Sequence, residues 1–416
     1  MANAQTDERY SHLTAPEKGE GIDFTIGFPD GDKIPIQLMR DAYVQFFEEK
    51  KHRSDFFQYG VHSGYPKIRS LVAEFLNRCY QLAAKDGPKK EIEKENIVIC
   101  GGVSFGLDRI LTVLGVDKNA IVYCEELTFF CFLNMLRERG CEVRMIPFTK
   151  EGVMDLDWLE TDLTSIDGDA AKPILVFTMP TFHNPTGVIM PLETRKQLVH
   201  LAHQFGFYIV SDEVYSTLPF SQIRNCIPPS LALLDDNANG RVMSLGSFSK
   251  VLCPALRFGW IHASSMLCGK LGSAGVVVSG SPACHLACGP MEILFRDHTI
   301  DKVAVQAANV LERKFSALWK ALQQHLPKDC SLNPFDRRGH NMAPQGGYFM
   351  IIQTPLEMSA FKLSQFCNEK FNLKVMPASM CGDSRDDRLR LCFAYHKEEE
   401  LIEGARRLGE AIRTLK

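Results

Sequence analysis

The most informative stretch of the sequence reads Gly246-Ser247-Phe248-Ser249-Lys250-Val251-Leu252-Cys253-Pro254-Ala255-Leu256-Arg257-Phe258-Gly259. A lysine follows a strand-like run and a turn of small residues, and an arginine stands seven positions after it. Lysine is the side chain that forms a Schiff base with an aldehyde cofactor, and serine and arginine suit the phosphate of such a cofactor. A bare Lys and Arg pair on a loop is more often solvated surface, but the apolar surroundings favour a buried turn.

Two further segments upstream also follow strand-like runs. Val210-Ser211-Asp212-Glu213-Val214-Tyr215 ends an apolar run in two acids and a tyrosine, and His183-Asn184-Pro185-Thr186-Gly187 has the composition of a turn. The carboxyl ends of parallel strands are where α/β proteins place their ligands. Asp212 could hold a pyridine nitrogen protonated there, and the alternative interpretation is an acidic helix cap.

Short apolar runs alternate with helical patterns through the first two thirds of the chain. The predicted strands of this part cover 96–100, 120–124, 142–146, 173–179, 207–211 and 241–245. Short buried strands with helices between them predict an α/β fold with a mostly parallel central sheet.

The pattern changes towards the C-terminus. A long helical pattern over 292–326 could bridge two lobes. The runs 347–353, 373–377 and 388–394 predict a smaller antiparallel sheet, closed by a helix over 396–414. We expect four regions: a flexible N-terminal arm over 1–22, an N-terminal segment over 23–50 that joins the small domain, a large domain over 51–300 and a small α+β domain over 301–416.

Composition excludes several classes of protein. The 416 residues carry 47 Lys+Arg and 50 Asp+Glu, a net charge of -3, which argues against a nucleic-acid binder. The longest uncharged stretch, 271–291, is too polar and interrupted for a membrane span. The fourteen cysteines form no C-x-x-C pair, and the N-terminus resembles no targeting signal, so we expect reduced thiols and a cytoplasmic location.

No metal site is expected. His200 and His203 share a helical pattern, and Cys284 and Cys288 have near-helical spacing, but neither pair has further ligands at zinc spacing. Buried His and Cys explain both pairs. The charged run from Asp383 to Arg388 is expected to be a solvated loop.

Taken in order, Asn184, Asp212, Lys250 and Arg257 resemble the motifs of fold-type-I pyridoxal-phosphate (PLP) enzymes of the class I and II aminotransferase family, in particular its aminoadipate and kynurenine aminotransferase-like branch. N-P-T-G together with S-F-S-K-x-x-x-P-x-L-R-x-G is a specific combination. The resemblance covers about residues 24–415. It implies a large PLP-binding domain with a mostly parallel sheet and a smaller α+β domain.

The resemblance also implies roles for the motif residues. Lys250 would carry the cofactor as a Schiff base and move the substrate's α-proton, because a desolvated amine near positive charge is neutral enough to act as a base. Asp212 would pair with the pyridinium nitrogen. The remaining cofactor contacts implied are Asn184 and Tyr215 to the ring's 3-oxygen, and Arg257, Ser247 and Ser249 to the phosphate.

Three other segments resemble cofactor-binding elements of the family. Gly102, Val103 and Ser104 stand where backbone N–H groups at a helix start face the phosphate. Phe129 is our choice for the ring that stacks on the cofactor, with Phe130 as the alternative. Tyr59 resembles a tyrosine that reaches the phosphate of the neighbouring subunit, which implies a homodimer with shared active sites.

The substrate contacts implied lie near the two chain ends. Arg390 resembles the arginine that binds the α-carboxylate, and it matches the motif better than Arg388, although both would share one strand face. Asn184, Gly27 and Tyr348 are the other substrate-binding candidates.

The function we expect is transfer of an amino group from an L-2-amino acid to a 2-oxo acid. Retention of lysine, aspartate and arginine argues against the alternative of a non-catalytic PLP-fold binding module. The same residues also support a lyase, a β- or γ-replacement or a cyclising enzyme, and these stay open. Lys33 and Arg40 are candidate cations for a dicarboxylic substrate, whereas Phe28, Phe129 and Tyr348 favour an apolar side chain.

Overall fold

The computed structural model describes residues 21–51, 54–81, 91–166, 174–280, 282, 284–334, 343–355 and 357–415. The predicted arm over 1–22 lies outside these residues except for its last two positions.

The strands of the described chain are short, as expected for buried sheets. They are β1 (Ile22–Asp23), β2 (Ile97–Cys100), β3 (Ile121–Glu125), β4 (Glu142–Ile146), β5 (Ile174–Thr178), β6 (Tyr208–Asp212), β7 (Val242–Ser247), β8 (Gly259–Ala263), β9 (Ser331–Leu332), β10 (Phe349–Gln353), β11 (Leu373–Lys374), β12 (Met376–Pro377) and β13 (Arg388–Cys392).

The α-helices lie between and around these strands. They are α1 (Ile36–Lys50), α2 (Pro66–Gln81), α3 (Val103–Val113), α4 (Phe130–Arg139), α5 (Leu156–Thr164), α6 (Leu192–Phe205), α7 (Leu231–Leu234), α8 (Ser265–Gly272), α9 (Gly275–Val278), α10 (Cys288–Arg296), α11 (Thr299–His325), α12 (Ala360–Phe371) and α13 (Glu398–Leu415).

The central sheet has seven strands in the order β2-β8-β7-β6-β5-β3-β4. The pairs β7-β6, β6-β5, β5-β3 and β3-β4 are parallel, and β8 is antiparallel to both of its neighbours. The mostly parallel sheet is therefore confirmed. β8 was not predicted, because this five-residue run begins with a glycine and directly follows the Lys250 loop without an intervening α-helix. Since β5, β6 and β7 are parallel neighbours, their carboxyl ends meet at one edge.

A second sheet has the antiparallel order β12-β13-β10-β9, which confirms the smaller antiparallel sheet. The N-terminal segment reaches this region because β1 pairs in parallel with β11. Phe24 is fully buried there, and its carbonyl oxygen accepts a hydrogen bond from the Cys392 amide at 2.9 Å. The division of the chain into domains near residue 300 stays a prediction.

The prediction of a single long helix over 292–326 was wrong. The chain forms α10 and α11 there, and His298 between them has a left-handed backbone with φ of 52°. α11 is amphipathic: Ala304, Leu311 and Leu318 lie on its buried face at spacings of seven residues. Burial of each leucine contributes roughly 1.5–3 kcal/mol, so packing rather than helix propensity holds α11 in place.

Within the described part of the chain, no helix combines the length and the apolar character that crossing a membrane would require.

Candidate active site

A cavity of about 120 Å³ lies at the carboxyl ends of β5, β6 and β7. Most of the residues that the sequence analysis singled out meet in it. Its lining consists of Val103, Ser104, Phe129, Met179, Asn184, Asp212, Val214, Tyr215, Ser247, Ser249, Lys250 and Arg257. Met179 and Val214 are the two that sequence reasoning did not select; Met179 directly follows β5, and Val214 lies two residues after β6.

Lys250 enters this cavity from the turn that follows β7. Its Nζ donates a hydrogen bond to the carbonyl oxygen of Gly27 at 2.7 Å, and the Tyr348 hydroxyl donates to the backbone oxygen of Lys250 at 2.6 Å. Burial lowers the pKa of the Lys250 amine, which the negative charge of Asp212 partly opposes. The amine is therefore closer to its neutral, nucleophilic form than an exposed lysine.

Asp212 is the last residue of β6 and is 3% exposed. Burial raises the pKa of its carboxyl group to about 7, although the amide of Val214 donates to it at 3.1 Å. No ion pair to Asp212 occurs among the described residues. A buried carboxylate without a cation fits a ligand that presents a protonated ring nitrogen.

Asn184 and Tyr215 face the same space from two different loops. The side-chain oxygen of Asn184 is buried and has no hydrogen-bond partner. Burial raises the pKa of the Tyr215 hydroxyl, so this group stays protonated and can donate. The turn that carries Asn184 needs Gly187, because a Cβ there would lie 2.8 Å from the carbonyl oxygen of Phe349 at a φ of +72°.

The features of an anion site lie at the start of α3. Gly102 precedes this helix with φ of 87°, and the amides of Val103 and Ser104 are in its first turn. A Cβ on Gly102 would lie 2.8 Å from Nη2 of Arg257, so the guanidinium lies directly against this turn. Helix N-terminal amides and an arginine together suit a phosphate.

Ser247 and Ser249 complete this side of the cavity. Their hydroxyl oxygens lie 2.9 Å apart, and the Ser249 amide donates to the Ser247 hydroxyl at 3.1 Å. The Asn184 side-chain amide without a hydrogen-bond partner, an unpaired buried carboxylate, a buried amine and an anion cradle thus share one cavity. This donor set fits a flat pyridine aldehyde that carries a phosphate.

The structure separates the two arginines of β13. Arg388 forms a buried ion pair with Asp383, with Nη2–Oδ1 at 2.5 Å, and lies 3.5 Å from Glu126. Both partners of the Asp383 pair are buried, so the expectation of a solvated loop over 383–388 was wrong at its two ends. The reason is that each charge neutralises the other inside the fold.

Arg390 is 2% exposed and is held differently. It donates from Nη2 to the carbonyl oxygen of Thr25, and its guanidinium lies 4.5 Å from the ring centre of Phe349 and 5.9 Å from that of Phe130. Its Nε has no hydrogen-bond partner. Arg390 therefore keeps donors available for a carboxylate, whereas Arg388 does not.

The two aromatic candidates also differ in position. Phe129 lines the cavity, whereas Phe130 begins α4 and lies beside Arg390. Tyr59 is 84% exposed and lines a separate cavity with Gly280 and His285, so it contacts no part of the Lys250 cavity in its own chain.

Beneath the cavity lies a layer of buried polar groups that sequence reasoning did not assign. Glu213, next to Asp212, accepts from the Thr181 hydroxyl at 3.0 Å, and the fully buried Arg195 donates to the same Thr181 hydroxyl at 2.9 Å. Glu125, at the end of β3, lies 3.2 Å from the ring of His183. The signal in the sequence that could have pointed to these groups is an acidic residue at the end of a predicted strand.

The groups set aside as metal ligands have other partners. His203 lies 2.8 Å from a carboxylate oxygen of Asp235, and Cys284 and Cys288 are buried. No cluster of His, Cys, Asp and Glu suited to a metal ion occurs among the described residues.

The chain is similar to several known aminotransferases. The family model for aminotransferase class I and II matches residues 19–408. An aromatic-amino-acid aminotransferase of Thermococcus litoralis is 28% identical over 96% of this chain and 90% of its own length, and a 2-aminoadipate transaminase of Thermus thermophilus is 27% identical over 95% and 90%. A kynurenine aminotransferase of Pyrococcus horikoshii, solved with PMP, superposes with a TM-score of 0.82 at 25% identity over 96% of this chain and 92% of its own.

Proposed function

Because the chain belongs to the class I and II aminotransferase family, we propose that it transfers the amino group of a 2-amino acid with an apolar side chain to a 2-oxo acid, using PLP held at Lys250. The observation that carries this proposal is the convergence of Lys250, Asp212, Asn184 and Arg257 in one cavity. The charge of Arg390, a buried arginine whose Nε has no hydrogen-bond partner, also acts on Lys250.

The cofactor would be held by contacts on three sides. Asp212 would pair with the ring nitrogen, Asn184 and Tyr215 would donate to the 3-oxygen, and Phe129 would stack on the ring face. Arg257, Ser247, Ser249 and the amides of Gly102, Val103 and Ser104 would bind the phosphate. When bound, PLP supplies an electron sink for the carbon that loses its proton. The ionised form of Asp212 is the one that pairs with a protonated ring nitrogen.

Lys250 has two tasks in this proposal. Its amine holds the cofactor covalently between turnovers and, once displaced by the substrate's amino group, takes the α-proton at Nζ and returns it to the cofactor side. Burial supports this role because it lowers the pKa of the amine. The Gly27 carbonyl, 2.7 Å away, gives the Nζ hydrogens a fixed acceptor.

Arg390 would orient the substrate. Two parallel N–H donors of a guanidinium match a carboxylate, so the α-carboxylate is bound rather than expelled. The rings of Phe349 and Phe130 lie against the guanidinium and keep water from it. Asn184 and Tyr348 are further substrate contacts in this proposal.

An apolar substrate side chain is supported by the surroundings of these groups. Arg40 is exposed on α1 and lines neither cavity next to Lys250. Lys33 lines a second cavity that also contacts Lys250, but that cavity is walled mainly by apolar side chains such as Leu38, Val303 and Val310. The relative from Thermococcus litoralis is named for aromatic amino acids.

We also propose a homodimer in which Tyr59 binds the partner's phosphate. Apolar side chains that line the same cavity as Tyr59 are exposed: Phe57 is 51% exposed and Leu286 48%. An apolar surface of this kind marks an interaction site, and Phe57, Tyr59 and Leu286 line one cavity of about 460 Å³. Sedimentation of wild type, Phe57→Asp and the control Phe361→Asp tests the homodimer. Only Phe57→Asp should lose the dimer mass.

A reducing compartment such as the cytoplasm is the proposed location. All fourteen cysteines are free, and most are buried. A long-lived chain in an oxidising compartment would be expected to use some of them in disulfides.

The reaction is tested by the absorbance of the purified holoenzyme with single amino acids. Aromatic and aliphatic amino acids should bleach the yellow form, and a 2-oxo acid should restore it; 2-aminoadipate and glutamate should act more slowly. Release of product without bleaching would move the chain to the lyase or replacement class, and a colourless protein that takes up no PLP would overturn the cofactor site.

A further inference from the structure

A buried polar cluster joins the two walls of the candidate cofactor cavity from behind. It consists of Glu125, His183, Thr186 and Thr178, each 4% exposed or less. Glu125 lies four residues before Phe129, and His183 lies directly before Asn184. None of the four lines the cavity itself, so none contacts a ligand bound there.

The neighbours of His183 favour a ring hydrogen on Nε2, because a carboxylate oxygen of Glu125 faces that nitrogen. The Thr186 hydroxyl lies 2.9 Å from Nδ1, and its oxygen accepts from the amide of Val188 at 3.3 Å, so its own hydrogen can be donated to Nδ1. A neutral imidazole then carries its own hydrogen on Nε2. Glu125 Oε2, at 3.2 Å, is the carboxylate that faces this nitrogen.

Glu125 is itself fixed. Its carboxylate accepts from the Thr178 hydroxyl at 2.9 Å and from the Met179 amide at 3.3 Å, both at the end of β5. The Nε2–H of His183 is poorly aligned for a full hydrogen bond, but a buried donor next to a buried carboxylate is held there by charge. His183 therefore connects the ends of β3 and β5.

The backbone of the same turn is closed on itself. The amide of His183 donates to the carbonyl of Val188 at 2.9 Å, and the amide of Gly187 donates to the carbonyl of His183 at 2.6 Å. Phe148 packs edge-on against the imidazole with ring centres 5.6 Å apart. The ring therefore contacts Thr186, Glu125 and Phe148. The next residue, Asn184, lines the cavity, and its side-chain amide has no hydrogen-bond partner among the described residues.

We propose that His183, held by Glu125 and Thr186, is a positioning residue that fixes the Asn184 amide against the 3-oxygen of the cofactor. His183 acts through Asn184 and touches neither cofactor nor substrate. This inference rests on the proposed PLP site. It assigns a function to a histidine–glutamate pair that the reaction itself does not use.

The readout is the pH midpoint of the visible absorbance of the holoenzyme, together with its PLP dissociation constant. A hydrogen bond donated to the 3-oxygen draws electron density away from the neighbouring protonated Schiff-base nitrogen, so loss of that bond raises the midpoint. Loss of a single hydrogen bond also weakens cofactor binding about tenfold. A merely structural role of His183 would change thermal stability without moving the midpoint.

The variants are His183→Leu, Asn184→Ala and the double variant, with His203→Leu as the matched control. His203 also pairs with a carboxylate, that of Asp235 at 2.8 Å, but lines no part of the cavity. We expect both single variants to raise the midpoint and to weaken PLP binding about tenfold, the double variant to equal either one within about twofold, and the control to match wild type. His183→Gln, which keeps an N–H donor for Glu125, should bring the midpoint most of the way back to the wild-type value.

Two results overturn the proposal. One is a His183→Leu holoenzyme with the wild-type midpoint, and the other is a double variant that binds PLP about a hundredfold more weakly than wild type. If His183→Leu does not fold, Thr186→Val removes the Nδ1 partner and must show the same shift. Wild type that forms no PLP chromophore would instead contradict the cofactor site. A normal wild-type chromophore with no effect of His183 contradicts only the positioning role.

Discussion

Lys250 donates from Nζ to the carbonyl oxygen of Gly27, 2.7 Å away, across a separation of 223 residues. The N-terminal segment is held over the lysine by a buried ion pair in which Lys314 Nζ lies 2.7 Å from Asp30 and 3.0 Å from the carbonyl oxygen of Ala394. The roof of the candidate active site thus depends on α11 and on the segment that follows β13.

Lys314→Met should leave the Asp30 carboxylate buried without its cation. We expect a stability loss of about 3–5 kcal/mol and a higher KM for the amino acid, because the segment that carries Gly27 loses its anchor. Chemical denaturation and steady-state kinetics measure the two effects. Lys320→Met, an exposed change on the same helix, is the control, and equal behaviour of the two variants would contradict the anchoring role.

Lys250→Ala should abolish the covalent fixation of PLP by borohydride and slow transamination by at least about 10³-fold, because both the covalent attachment and the proton carrier are lost. Mass spectrometry of the reduced protein detects the fixed cofactor. The exposed Lys270→Ala serves as the control. Cofactor fixed at the wild-type level in Lys250→Ala would show that another lysine holds it.

Arg390→Ala and Arg388→Ala should have different effects although the two residues are neighbours on β13. Arg390→Ala removes two charge-assisted hydrogen bonds to the substrate, so kcat/KM should fall by about 10²- to 10³-fold with little change in PLP affinity. Arg388→Ala leaves Asp383 buried and unpaired and should cost about 3–5 kcal/mol of stability. A loss of PLP affinity in Arg390→Ala would place that arginine in the phosphate site.

Gly102→Ala should weaken PLP binding about tenfold or more, because the new Cβ would lie 2.8 Å from Arg257 Nη2 and displace the guanidinium from the phosphate. Gly115→Ala is a matched control: it also has a positive φ, 67°, but an added Cβ meets nothing within 4 Å. Both variants should lose roughly 1–3 kcal/mol of stability through backbone strain. Equal PLP affinities of the two variants would contradict the phosphate assignment.

Asp212 makes the cofactor-free protein sensitive to pH. Burial raises the folded-state pKa of its carboxyl group to about 7, whereas in the unfolded chain it titrates near about 4. The folded form therefore binds the extra proton between these values, and its stability should fall as pH rises from about 4 to 7 and then level off. As pH rises across this range, the Asp212→Asn apoprotein should become more stable relative to the wild-type apoprotein. Urea denaturation of both proteins measures this difference. A difference that is independent of pH would refute the raised pKa.

Much of the fold and site could be predicted because the informative residues are local in sequence. Lys250 and Arg257 stand in one loop, Asn184 stands in one turn, and Asp212 ends one strand, so short patterns were enough to identify them. The parallel sheet followed from the alternation of strands and helices. These inferences needed no knowledge of which strands are neighbours.

The sequence by itself therefore determined the fold class, the candidate lysine Lys250 and the order of the loops that line the candidate cavity. Only the tertiary structure separated Arg390 from Arg388, because side chains two apart on a strand share a face and only the partners, Thr25 and Phe349 for one and Asp383 for the other, distinguish them. The pairing of Glu125 with His183 was likewise invisible, since β3 and β5 become neighbours through sheet pairing over about fifty residues. Contacts of this range depend on packing, which no local pattern encodes.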